Sequence, residues 1–207
     1  VWKLEKLCRN KALKAAVEKP ENVKLFLNVD GNIIQDKAFI QGFTNRRAMK
    51  AGVPASDIVF EITERSDIEN YQILQQIMKH YADQGYEIAL DDVGAGHLGL
   101  NRVVNTTPDY LKADIELVRD IHKYKKKEIM MKLLLDYCNA TGAILIAEGI
   151  ETVQELECLH SLGVHYGQGF FLGKPERAFG NISAESEEIL ERLNGRKNIL
   201  FLDISGK

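Results

Sequence analysis

Five oxygen-bearing side chains stand out by type and spacing: Asn28, Glu61, Asp91, Asp92 and Glu148. Each sits at the C-terminal end of a short β-branched or apolar run. Together they would form an oxygen-rich, thiolate-free site. Such donors select hard divalent cations, here Mg²⁺ or Mn²⁺. Converging carboxylates need a counter-charge, which one or two metals would supply. Two metals side by side can activate a water and clamp a phosphate oxygen. Lys112, at the end of another such run, could orient that water or neutralise phosphate charge. Gln168 ends a further run. The adjacent pair Asp91-Asp92 alone would fit a loop or helix cap equally well.

The elements that must position these residues alternate between two periods. Leu4, Leu7, Cys8, Ala12, Ala15 and Ala16 recur at helical spacing over residues 1–18. Residues 23–30 read as a strand ended by Gly31. A helix over 36–50 follows, stopped by Gly52 and Pro54. Strands are expected at 58–63, 86–91, 110–114, 143–148 and 165–171. Between them fall helices from Ser66, which forms a capping box with Glu69, at 98–104, and at about 115–139. Thr152 with Glu155 forms a second capping box opening a helix to Leu162. A polar helix covers roughly 183–193.

Strands alternating with helices predict parallel strands and crossover helices. No Gly-rich phosphate turn follows the first strand, which disfavours a dinucleotide-binding open sheet. A TIM-like (β/α)8 barrel places its catalytic groups at the C-terminal ends of its strands. Asn28, Glu61, Asp91, Lys112, Glu148 and Gln168 all occupy that position. Period two puts Asn28 with Phe26, Glu61 with Val59, Asp91 with Ala89, Lys112 with Tyr110, and Gln168 with Tyr166. Each polar residue can thus point inward while its apolar neighbours meet the helices. Six of eight strands are legible, and a full barrel takes about 250 residues.

Composition excludes several classes. The chain has 207 residues, 45% hydrophobic and 28% charged, with a net charge of −3. Such a charge gives no support for DNA or RNA duplex binding through bulk electrostatics. No apolar run reaches the roughly 20 residues of a membrane span, and the N-terminus is not a signal peptide. Three widely spaced cysteines make neither a disulfide framework nor a thiolate zinc site, which suggests a cytoplasmic setting. The run Lys123 to Lys127 reads as a solvated helix face.

The motifs also resemble those of the EAL-domain family of bacterial cyclic-di-GMP phosphodiesterases. The matching segments, in family order, are Leu27-Asn-Val-Asp30, Phe60-Glu-Ile-Thr-Glu64, Ile88-Ala-Leu-Asp-Asp92, Pro108-Asp-Tyr-Leu-Lys112, Ala147-Glu-Gly-Ile-Glu-Thr152 and Gly167-Gln-Gly-Phe-Phe-Leu-Gly-Lys-Pro175. The resemblance implies that Asn28, Glu61, Asp91 and Glu148 are metal ligands and that Asp92 bridges to a second metal. It implies that Lys112 helps hold the nucleophilic water. Glu151 and Gln168 would support the metal shell and that water, and Glu64 would anchor the loop after Asp92. The implied reaction is water attack on one phosphodiester of cyclic-di-GMP, giving linear pGpG in second-messenger signalling.

The chain departs from the family pattern at several points. The Glu-Ala-Leu motif itself is absent, so its strand is expected upstream of Val1. Val93, Ala95, His97, Leu98 and Gly99 replace Phe, Thr, Tyr, Ser and Ser in a loop that couples the site to dimer contacts in the family. Asp30 stands where Ser is usual. The barrel unit is expected over 1–194, with 195–207 a linker or tail leading to a further domain. A homodimer and a fused sensor domain are the partners implied. The alternative function is a degenerate or truncated EAL domain that binds cyclic-di-GMP as a non-catalytic receptor. A third reading makes Lys112 the Schiff-base lysine of a barrel aldolase.

Overall fold

The computed structural model describes residues 1–31, 33, 36–63, 71–94, 103–176 and 179–194. Six parallel strands form one sheet in sequence order: β1 (Leu25–Val29), β2 (Ile58–Thr63), β3 (Glu87–Val93), β4 (Tyr110–Ala113), β5 (Ile144–Ala147) and β6 (Tyr166–Gly167). Among the described residues, α-helices flank or connect them: α1 (Trp2–Ala15), α2 (Phe43–Ala51), α3 (Tyr71–Ala82), α4 (Ile115–Val118), α5 (Lys125–Thr141), α6 (Val153–Leu162) and α7 (Ala184–Asn194). Strand order equal to chain order, with helical crossovers between parallel strands, is the topology of a TIM-like barrel.

Side-chain parity divides the sheet into two faces. Leu27, Ile58, Phe60, Ile62, Ile88, Leu90, Leu111 and Leu145 pack outward into the main core with the helices. The opposite face carries a smaller cluster of Phe26, Val59, Ala89, Tyr110 and Ile146, with Ile144 and Tyr166 against it. That cluster is the barrel interior. It lies below the ends of the strands that carry the polar residues.

Three elements differ from expectation by more than two residues among the described ones. The helix expected over 36–50 begins at Phe43, because Gly42 is left-handed at φ 68° and the chain before it runs in turns. The long helix expected over 115–139 is broken. Asp120 adopts φ 57°, so α4 ends early and a short 3₁₀ turn at Ile121–Lys123 precedes α5. The last strand is reduced to Tyr166–Gly167, after which the chain turns. The capping box at Thr152 and Glu155 is present as expected. The box at Ser66 and Glu69, residues 98–102, Glu64, His97 and the tail 195–207 lie outside the described residues. Among the described residues no helix is long and apolar enough to cross a membrane.

Candidate active site at the strand ends

The inward parity of the strand ends brings Lys112 among carboxylates from three other strands. Its Nζ lies 2.5 Å from Glu61 Oε1, 2.6 Å from Glu148 Oε1 and 3.0 Å from Asp91 Oδ1. The contact to Asp91 is an ion pair without hydrogen-bond alignment. Lys112 is 3% exposed and Glu61 6%. Register explains the convergence. Asn28 pairs with Glu61, Glu61 with Ala89, and Lys112 with Ile146, so the polar layer climbs strand by strand as a tilted barrel requires.

Asp92 would not join this layer in a regular strand, because adjacent residues face opposite sides. A bulge brings it in. The register shifts between Leu90 and Val93, so three steps along β3 match two along β4. Asp92 takes φ 57°. Val93 consequently returns to the outer core, where unbroken alternation would have put it inside. Such bulges re-aim side chains at functional rims. As a result one oxygen each from Asp91, Asp92 and Glu148 lie within 4.8 Å of one another.

The electrostatics follow from burial. Burial pushes the Glu148 carboxyl up to about 7; Lys112 opposes that rise, and Asp91 adds to it. Burial likewise raises Glu61, again against Lys112. For Lys112 burial would favour the neutral amine, yet Glu61, Glu148 and Asp91 outweigh it and raise its pKa above the ordinary value. A lysine held protonated in this way is a poor Schiff-base nucleophile, which counts against the aldolase reading.

The remaining expected residues are placed differently. Asn28 is exposed on β1, beside Glu61 in register. The Gln168 side-chain oxygen is buried and has no hydrogen-bond partner among the described residues. Glu151 is half-exposed and faces Arg119 at 3.6 Å, so its ion pair is with a helix-end arginine and not with Lys112. Two residues carrying no sequence-level role brace the site from α1. Glu5 Oε1 accepts from the Asp30 amide at 2.6 Å, two residues beyond Asn28, and Glu5 Oε2 pairs with Arg9 at 2.5 Å. Arg9, 2% exposed, also donates to Thr44 Oγ1 and Tyr81 Oη, each at 3.1 Å. Glu5 and Arg9 are four apart on one helix, the spacing of a side-chain pair. Nothing local indicates that Glu5 reaches the chain just after β1 or that Arg9 reaches α2 and α3.

The donor set is compatible with a hard divalent cation. It offers clustered carboxylate oxygens and an orphaned buried amide oxygen, with no thiolate or imidazole among the grouped ligands.

Comparison with known proteins agrees with this geometry. The EAL-domain family model matches residues 1–175. The cyclic di-GMP phosphodiesterase PdeB of Shewanella oneidensis is 25% identical over 150 residues, which are 72% of this chain and 17% of that protein. The chain thus spans a minor part of that relative's length. Among solved structures, a standalone versatile EAL protein from Vibrio cholerae O395 in its c-di-GMP-bound form superposes with a TM-score of 0.80 at 27% identity. It covers 89% of this chain and 78% of its own. Klebsiella pneumoniae BlrP1 in a manganese/cy-diGMP complex superposes with a TM-score of 0.77 at 28% identity, over 84% of this chain and 44% of its own. With the family model matching most of the chain and the strand-end acids clustered on a TIM-like barrel, this chain belongs to the EAL-domain family.

Proposed function

We propose that this chain carries the site of a metal-dependent cyclic-di-GMP phosphodiesterase that hydrolyses its substrate to linear pGpG. One observation carries the reading: a buried, protonated Lys112 held by Glu61, Asp91 and Glu148 at the strand ends of a barrel. A structural ion pair needs one carboxylate. Three, with Asp92 brought in by a bulge, exceed what Lys112 can neutralise.

Asn28, Glu61, Asp91, Asp92 and Glu148 would hold Mg²⁺ or Mn²⁺. A bound divalent cation supplies Lewis acidity toward a phosphate oxygen and lowers the pKa of water. The chain's own residues do the rest. Lys112 offers an N–H donor to the attacking water and positive charge to the phosphodiester. The free oxygen of Gln168 can accept from the same water. The water oxygen bonds to phosphorus as one ester P–O bond breaks, the proton that the water loses is balanced by the one that the leaving ribose oxygen gains, and the ring opens to the linear dinucleotide.

Support also comes from the relatives, whose names record cyclic di-GMP phosphodiesterases, and from neighbours solved with cyclic-di-GMP and manganese. The test is chromatography of cyclic-di-GMP incubated with the purified protein and Mn²⁺ or Mg²⁺, beside an EDTA control. Metal-dependent pGpG is expected. Tight nucleotide binding without product would make the domain a receptor instead. Glu61→Gln, Asp91→Asn and Glu148→Gln should each abolish turnover and weaken metal binding, while Lys112→Ala should lower kcat more than it raises KM. Wild-type rates in the ligand variants would overturn the assignment.

A further inference from the structure

Helix α6 opens with reciprocal bonds. Thr152 Oγ1 accepts from the Glu155 amide at 3.3 Å, and Glu155 Oε2 accepts from the Thr152 amide at 3.0 Å. A capping box requires no more. Glu155 does more. Its Oε2 also accepts from the Glu151 amide at 2.9 Å, and its Oε1 accepts from the Asp120 amide at 2.8 Å. The side chain is 3% exposed.

The two additional amides belong to the segments that follow two different strands of the site. Glu151 lies three residues beyond Glu148, and Asp120 lies in the left-handed turn after α4, downstream of Lys112. The intervening loop is tightly seated. The Glu148 amide donates to Ala113 O at 3.0 Å, and the Ile150 amide donates to Gln168 O at 3.0 Å. Gly149 sits at φ 71° with the Ile115 side chain where a Cβ would be.

We propose that Glu155 is a positioning residue whose carboxylate ties the loop after Glu148 to the turn at Asp120, setting Glu148 relative to Lys112. This rests on the reading of Glu148 and Lys112 as parts of a metal-dependent site. The chemistry demands a carboxylate. Three N–H groups converge on two oxygens, and glutamine would present an N–H₂ where one oxygen must accept.

The experiment compares wild type, Glu155→Gln and Thr152→Ala. Thr152→Ala removes the other half of the cap and leaves every donor to the Glu155 carboxylate in place. The readouts are amide hydrogen exchange, Mn²⁺ affinity by titration, and kcat against KM. Glu155→Gln is expected to speed exchange at Asp120 and over 148–152 by about tenfold or more. It should weaken Mn²⁺ binding by about tenfold, the scale of lost outer-shell support, and lower kcat more than it changes KM. Thr152→Ala should leave all three within about twofold, although it lowers Tm. If the two variants behave alike, or exchange over 148–152 is unchanged in Glu155→Gln, Glu155 is a helix cap only and the proposal is overturned. If wild type binds no Mn²⁺, the metal reading fails by itself and the exchange comparison still decides the role of Glu155. Should Glu155→Gln not fold, Glu155→Asp, which withdraws both oxygens by one methylene, is measured against the same thresholds.

Discussion

Lys112 Nζ stands 2.6 Å from Glu148 Oε1, with the side chains 4% and 15% exposed. In the metal-free protein this ammonium is the counter-charge that opposes the burial-driven rise of Glu61 and Glu148. Lys112→Met should therefore cost the metal-free protein about 3–5 kcal/mol, the scale of a buried charge left uncompensated. Mn²⁺ should restore more stability to the variant than to wild type, because cation and ammonium neutralise the same oxygens. Urea midpoints measured in EDTA and in Mn²⁺ check both. Equal midpoints for variant and wild type in EDTA would contradict the electrostatic account.

The same pair makes metal binding depend on pH. Glu148 is pushed up to about 7 from 4.5, by burial first, then by Asp91, with Lys112 opposing. A carboxyl raised in the folded state holds its proton there longer than in the unfolded chain. Its contribution to the stability of the metal-free protein is full below pH 4.5 and is lost as pH rises through 7. A cation must displace that proton, so divalent affinity should climb by up to about tenfold per pH unit below 7 and level off above it. Titrations of Mn²⁺ at several pH values should show this slope, and Glu148→Gln should flatten it.

Close backbone approach dictates glycine beside the site. A Cβ on Gly169 would overlap the backbone nitrogen and oxygen of Ile150. Backbone cannot swing aside as a side chain can. Gly169→Ala should lower stability by about 3 kcal/mol or more, placing it in the upper range for single substitutions. Gly142→Ala is the control. That glycine caps α5 at φ 82° with nothing within 4 Å of a Cβ, so strain alone acts, at about 1 kcal/mol. Chemical denaturation of the two variants would reverse the interpretation if Gly142→Ala proved the more damaging.

The brace from α1 should behave as a coupled pair. Arg9 is buried against Trp2, Phe60 and Tyr81, and Glu5 is its carboxylate partner. Glu5→Met strands the guanidinium, and Arg9→Met strands the carboxylate, each at about 3–5 kcal/mol. The double substitution should cost less than the sum of the two. A double-mutant cycle in urea gives the coupling, and additivity would mean that the pair is not interacting. Glu5→Met should also loosen Asp30, whose amide loses its acceptor.

Much of this protein was legible in its sequence. The alternation of strands and helices, the inward parity of Glu61, Asp91 and Lys112, and the cap at Thr152 are local patterns with fixed periods, and the structure has all of them. The ordered motifs identified the family, and the family model agrees. Local periods could not set what depends on register. Asp92 reaches the acidic cluster through a bulge, against strict alternation. Glu151 turns to Arg119, a residue brought near by the break at Asp120 that helical periodicity did not reveal. Glu5 looks like an ordinary helix-surface acid in sequence, and Glu155 like the acid of an ordinary capping box. Only packing shows that each accepts from amides of a segment following a strand end of the site. The sequence determines which face each side chain takes, because that is a property of a few consecutive dihedrals. Which charges meet depends on strand stagger, loop closure and buried amides seeking acceptors, and those exist only once the chain has folded.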